Sequence, residues 1–164
     1  MTSYYFSIIG TRDNPLYELE FSSFKSPASA VPGEPHFAPR VRELLPFIAN
    51  SSLDLLEDAQ WLTSSFNLGR IDSFGGIWVN AFVTQGNVKF ILCYDSPNSP
   101  ASTLDTVIAS TSSSKHDESS IKHFLHDAYD LYVKALLNPF YSANDPLVSP
   151  DFDYKLKSIA RKYL

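Results

Sequence analysis

The stretch IWVNAFVTQGNVKFILCYD, Ile77 to Asp95, decides the fold class. Two runs, 77–84 and 88–95, are dense in aromatic and β-branched residues, the composition of strands. Gln85-Gly86-Asn87 interrupts them as a tight turn, with Gly86 the residue suited to positive φ. Each run is apolar at both odd and even positions. Because successive side chains of a strand point to opposite faces, both faces of this hairpin are expected to be covered.

Upstream, residues 4–10 read as a strand closed by Gly10, and 16–21 as a half-buried strand. Thr11-Arg12-Asp13-Asn14-Pro15 joins the two as a hairpin loop. Residues 22–40 hold Pro27, Pro32, Pro35 and Pro39 and read as an insert without helix or central strand. A helix is predicted from Pro46, with Ile48, Leu55, Leu56 and Ala59 as its apolar stripe. A connection at 61–68 leads to a short strand at 71–74, before Gly75-Gly76.

Downstream, 96–120 is a second insert rich in Ser, Thr, Pro and Asn. A helix capped by Ser119 or Ser120 follows, its face formed by Ile121, Phe124, Leu125, Ala128, Leu131, Tyr132 and Ala135. It stops at Asn138-Pro139. The last helix spans about 150–163, with Ser149 as N-cap and Pro150 as first helical residue. Asp151 and Asp153 sit at its positive end, Arg161 and Lys162 at its negative end. The predicted order is β-β-α-β-β-β-α-α: an α/β (α+β) fold with a five-stranded, mainly antiparallel sheet carrying helices. A single domain is expected over 1–164, with flexible inserts at about 22–40 and 96–120.

Composition excludes several functions. Hydrophobic residues make up 44% and charged residues 19%, which is globular rather than disordered. The net charge of −5 argues against a general nucleic-acid binder, which needs a basic face. Cys93 is the one cysteine, so neither an internal disulfide nor a cysteine zinc site can form. It is expected to be a buried core thiol. The N-terminal stretch has no secretory-signal pattern, and no apolar run approaches the ~20 residues that span a bilayer. A cytosolic location is therefore expected, and the Asn50-Ser51-Ser52 sequon has no consequence there.

No Gly-x-Ser-x-Gly elbow, Walker loop or Gly-x-Gly-x-x-Gly is present. His123, His126, Asp127 and Asp130 cluster at helical spacing and could face a metal. A solvated polar face explains them better, because a zinc site needs further ligands. No catalytic residue, cofactor or metal site is expected. Asn138-Pro139-Phe140-Tyr141 has the form of an endocytic signal, but directly after a helix it reads as an ordinary stop. Asp54 lies roughly 20° around the helix from Phe47, at the edge of the apolar stripe. It is either an exposed charge or a specificity-setting charge at a protein interface, and the residues alone leave both open.

An ordered set of segments then points further: Asp13 to Phe21, Phe47-Ile48-Ala49 with Ser52 to Leu55, Trp61-Leu62, and Trp78 to Thr84. Lys89-Phe90-Ile91, Asp127 to Tyr132, Asn138 to Tyr141 and Phe152-Asp153 continue it. This set resembles the sedlin family, the subunit-2 family of the TRAPP complex. The resemblance implies a longin (SNARE-like) fold. It implies a non-catalytic adaptor subunit in the TRAPP tether and Rab exchange factor of ER-to-Golgi transport. The implied partners are the other TRAPP core subunits and the large subunits of TRAPP II and III. The link to a Rab GTPase would be indirect, with membrane association only through the complex at ER and cis-Golgi membranes. The family's helix-one aspartate, associated with the adaptor contact, matches Asp54, and the expected interaction residues are Asp54, Ser51, Asp58 and Phe47. Both inserts are longer than typical sedlin loops, and Asn80 stands where Ser is common. A paralogous sedlin-like subunit shares the Asn-Pro-Phe-Tyr segment, while Trp61 and WVNAFVT favour sedlin proper. A longin-like regulator that binds a SNARE or small GTPase directly is the alternative.

Overall fold

The computed structural model describes residues 2–24, 37–95 and 113–164, with side chains of the last stretch from 118 onward. The two inserts lie largely outside these residues. The decisive hairpin forms β4 (Ile77–Val83) and β5 (Lys89–Asp95), antiparallel, with Val83 opposite Lys89. Asn87 N–H donates to the Thr84 carbonyl at 3.0 Å, and Thr84 N–H to the Val88 carbonyl at 2.9 Å. The left-handed residue is Asn87 (φ 58°), not Gly86. A three-residue loop needs this conformation at its last position, and Asn is among the few side chains that tolerate it.

β1 (Ser3–Ile9) pairs with the other edge of β5, and β2 (Pro15–Ser22) pairs with β1. β3 (Asn67–Phe74) pairs with β4, which gives the order β2-β1-β5-β4-β3, antiparallel throughout. The strand alternation sorts the core into two clusters. Tyr4, Phe6, Ile8, Phe82, Phe90, Leu92 and Tyr94 face α3 (Ser113–Leu136) and α4 (Pro150–Tyr163). Tyr5, Ile9, Val79, Ala81, Ile91 and Cys93 face α1 (Pro39–Ser51) and α2 (Leu53–Ala59). The expectation of a sheet covered on both faces therefore holds, and the fold is a longin-like α+β arrangement.

Four boundaries differ from the sequence reading. The first helix starts at Pro39, and Pro46 lies inside it. Pro39 takes the first helical position, where its missing N–H costs nothing. Pro46 points to solvent, and its lost bond to the Arg42 carbonyl is offset by buried Leu45, Ile48 and Ala49. The same helix breaks at Ser52, whose buried Oγ donates to the Ile48 carbonyl at 2.8 Å and lies 3.1 Å from Asp72 Oδ2 on β3. Such back-bonding bends helices, and here it also ties the bend to the sheet. β3 begins at Asn67 rather than 71, because two register shifts and Gly69 at φ 71° erase its alternation. α3 begins at Ser113 rather than 119, since residues 113–120 contain no apolar residue to mark a helical face. The last helix matches its reading: Ser149 caps it by accepting from Phe152 N–H, Pro150 is first, and the charges follow the helix dipole.

The β1–β2 turn is clamped to the α3–α4 connection. Asn144 Oδ1 accepts from Thr11 N–H at 2.8 Å and from its hydroxyl at 3.0 Å, while Asn14 Nδ2 donates to the Asn144 carbonyl at 3.2 Å. Leu147 N–H donates to the Leu16 carbonyl at 2.9 Å, which ties the start of β2 to the same connection. Gly10 makes the approach possible, because a Cβ there would lie 2.5 Å from Asn144 Oδ1 and 2.8 Å from Asn14 Oδ1. Gly10→Ala is expected to displace both amides and cost about 1–2 kcal/mol. Urea denaturation should record it as a lowered midpoint at unchanged slope.

Candidate functional site

α1 and α2 bury one side and leave the other free. Leu45, Ile48, Ala49, Ser52, Leu53 and Leu56 face the sheet. Leu44, Phe47, Ser51, Asp54, Leu55 and Asp58 face outward. Ser52 N–H reaches the Ile48 carbonyl at 3.1 Å and Leu56 N–H the Ser52 carbonyl at 3.0 Å, so helical bonding carries through the bend and the outer face is continuous. All four expected interaction residues lie on it. Phe47 is 60% exposed, an unusual state for a large apolar side chain with a core one turn away. Ser51 Oγ donates to the Ile48 carbonyl at 3.0 Å.

Leu55 corrects the sequence reading. It was expected in the buried stripe with Ile48 and Leu56, yet it is 44% exposed. One residue is about 100° of helix, so Leu55 cannot share the face that Leu56 occupies at 0% exposure. Asp54 is accordingly not at the border of the core. It stands on an outer face that has its own apolar residues, Leu44, Phe47 and Leu55. Beyond α2, Trp61 and Leu62 are 83% and 87% exposed. Leu44, 44% exposed, stands in the same row at a spacing of three, four, three and four to 47, 51, 54 and 58.

A second exposed apolar surface lies in the α3–α4 layer. Leu137, Phe140 and Val148 are strongly exposed, Phe140 at 95%. A cavity of about 420 Å³ sits beside them, lined by Leu131, Lys134, Tyr141, Phe152 and Lys155 among others. The Asn-Pro-Phe-Tyr segment forms part of this surface as a turn: Tyr141 N–H donates to the Asn138 carbonyl and Phe140 N–H to Asn138 Oδ1. Tyr141 packs against the core and its hydroxyl donates to the Asp145 carbonyl at 2.7 Å. Burial and the adjacent Tyr132 hold this phenol up at about 12.

The histidine cluster is only partly brought together. Donor atoms of His126, Asp127 and Asp130 lie within 4.8 Å of one another on a solvent face. His123 is not among them: its ring stacks on Tyr163 at 5.7 Å. Asp127 already accepts from the Tyr163 hydroxyl at 2.9 Å and lies 3.6 Å from the Lys162 ammonium. Cys93 is fully buried, and desolvation, with Asp72 adding to it, pushes its thiol up to about 12. A thiol so held does not supply a thiolate near neutral pH. Among the described residues no helix is long and apolar enough to cross a membrane.

The fold is thus a longin-like sheet covered on both faces, with an exposed apolar surface on each helical layer. Comparison with known sequences makes the class specific. The family model for sedlin matches residues 8–162. The "Probable trafficking protein particle complex subunit 2" of Drosophila melanogaster is 37% identical, covering 100% of this chain and 99% of the relative. The "Trafficking protein particle complex subunit 20" of Saccharomyces cerevisiae is 32% identical, covering 98% and 97%. The "Transport protein particle 20 kDa subunit" of Schizosaccharomyces pombe is 33% identical, covering 98% of each. The chain belongs to the sedlin family.

Proposed function

We propose that this chain is a non-catalytic adaptor subunit of a TRAPP-type tethering and Rab-exchange complex in ER-to-Golgi vesicle transport. It joins the core of the complex to its large subunits. It acts in the cytoplasm and reaches ER and cis-Golgi membranes only through the assembly. The large-subunit contact is assigned to the outer face of α1 and α2, at Phe47, Ser51, Asp54 and Asp58. The observation that carries this reading is the pair of exposed apolar surfaces, one in each helical layer, on either side of the sheet. An adaptor needs two such surfaces so that one partner does not obstruct the other. The names of the full-length relatives supply the complex.

Asp54→Tyr tests the assignment. Asp54 is exposed and forms no ion pair or side-chain hydrogen bond among the described residues, so the fold should survive. The expected result is an unchanged melting curve. In pull-downs with the tagged chain, core subunits are retained and the large subunits are lost, a binding cost of about 2 kcal/mol or more. Undiminished recovery of the large subunits would remove Asp54 from the contact.

A further inference from the structure

The outer face of α1 and α2 has a charge pattern that identifies the chemistry of what covers it. This inference rests on the adaptor reading and deepens it. α2 carries Asp54 in its first turn and Glu57 and Asp58 in its last, where it has no basic residue. Carboxylates near a helix C-terminus oppose the helix dipole, whose negative end lies there. α4 does the reverse, with Asp151 and Asp153 in its first turn and Arg161 and Lys162 in its last. Glu57 and Asp58 are therefore unfavourably placed, and no cation among the described residues relieves them. None of Asp54, Glu57 and Asp58 has an ion pair or side-chain hydrogen bond among the described residues. Beside these charges stand Leu44, Phe47 and Leu55, apolar and exposed.

The spacing gives the shape of the occupant. Residues 44, 47, 51, 54 and 58 lie in one row along the helices, a ridge against which a second helix can pack. Ser51, small and central, lets a second backbone come close. We infer that this face receives an amphipathic basic helix of another subunit, its apolar ridge seated on Leu44, Phe47 and Leu55 and its Lys or Arg side chains facing Asp54, Glu57 and Asp58. An anionic lipid surface or a nucleic acid is repelled by the same charges.

The test uses the full-length tagged chain in its assembled complex. Asp54→Asn with Asp58→Asn removes charge at nearly constant shape, and Phe47→Ala removes the apolar anchor. Retention of the large subunits is measured across a salt series, and carbodiimide cross-linking joins carboxylates of α2 to nearby lysines for mass spectrometry. The expected result is steep salt dependence for the unaltered chain, about tenfold or more weaker retention for the double asparagine variant, and cross-links from α2 to lysines of one partner helix. Retention within about threefold for that variant, insensitive to salt while Phe47→Ala still abolishes it, overturns the basic partner and leaves the adaptor reading intact. Full retention by both variants removes the face from the adaptor contact and this inference with it. Cross-links to Lys155, Lys157 or Lys162 of a second copy would make the occupant this same protein and overturn the assignment to another subunit.

Discussion

Phe90→Ala is expected to remove about 3–5 kcal/mol of stability, the largest effect of any single truncation proposed for this chain. Phe90 is fully buried on β5, the central strand of five. Its ring stacks on Phe6 at 6.1 Å, meets Phe82 at 5.8 Å, and lies edge-on to Tyr132 at 5.6 Å and Tyr129 at 6.4 Å. Truncation forfeits the transfer energy of the ring and leaves a void shared between the sheet and α3. The aromatic contacts add about 0.5–1.5 kcal/mol each beyond their area. Domains of this size have about 5–15 kcal/mol in total, so the melting temperature should fall by about 10 °C or more. Calorimetry would read the shift. A loss below about 1 kcal/mol would mean that the neighbouring rings collapse into the space.

The second large effect concerns Lys89, a buried cation at the start of β5 that is 3% exposed. Its ammonium pairs with Asp13 Oδ1 at 2.8 Å, across the β1–β2 turn. No other partner of Lys89 exists among the described residues. Asp13→Ala leaves a buried charge unpaired and places alanine at φ 58°, where side chains are strained. Breaking a fully buried pair costs about 3–5 kcal/mol; Asp13 is half-exposed, so about 2–3 kcal/mol is expected. Asp13→Asn separates the two contributions, because asparagine tolerates that backbone but lacks the charge. Adding Lys89→Met to Asp13→Asn should restore most of the loss, since an apolar replacement of a buried pair is often neutral. Chemical denaturation of the three variants checks this. A double variant as unstable as Asp13→Asn alone would show that the charge is not the cause.

Much of the fold was legible because the strongest signals were local and unopposed. The 77–95 hairpin has apolar residues on both faces of each strand, which marks it as a doubly covered strand pair without help from tertiary context. Ser149, Pro150, Asp151 and Asp153 together allow α4 only one start. Failures arose where one residue's side chain changed its neighbours' geometry. Pro46 looks like a helix start only if the value of burying Leu45 is unknown. Ser52 looks like an ordinary polar residue until Asp72 arrives from a strand twenty positions away. Residues 67–70 hide a strand behind two bulges. At the candidate site, Phe47, Ser51, Asp54 and Asp58 came from the family resemblance; spacing by itself put Asp54 near Phe47 and left its role open. The exposure of Leu55 was not readable, because it depends on which side of a bent helix meets the sheet.

The bulged edge strand has a consequence for assembly. The Gly69 N–H is taken by Asn67 Oδ1 at 2.9 Å and the Ser73 N–H by Asp72 Oδ1 at 2.7 Å, so β3 spends amides on its own side chains. An incoming strand needs a regular row of free donors, and this border does not offer one. Recognition is thereby shifted from backbone, which is much the same in every protein, to side chains, which are not. Whatever meets this border is recognised by shape and side-chain chemistry rather than by strand addition.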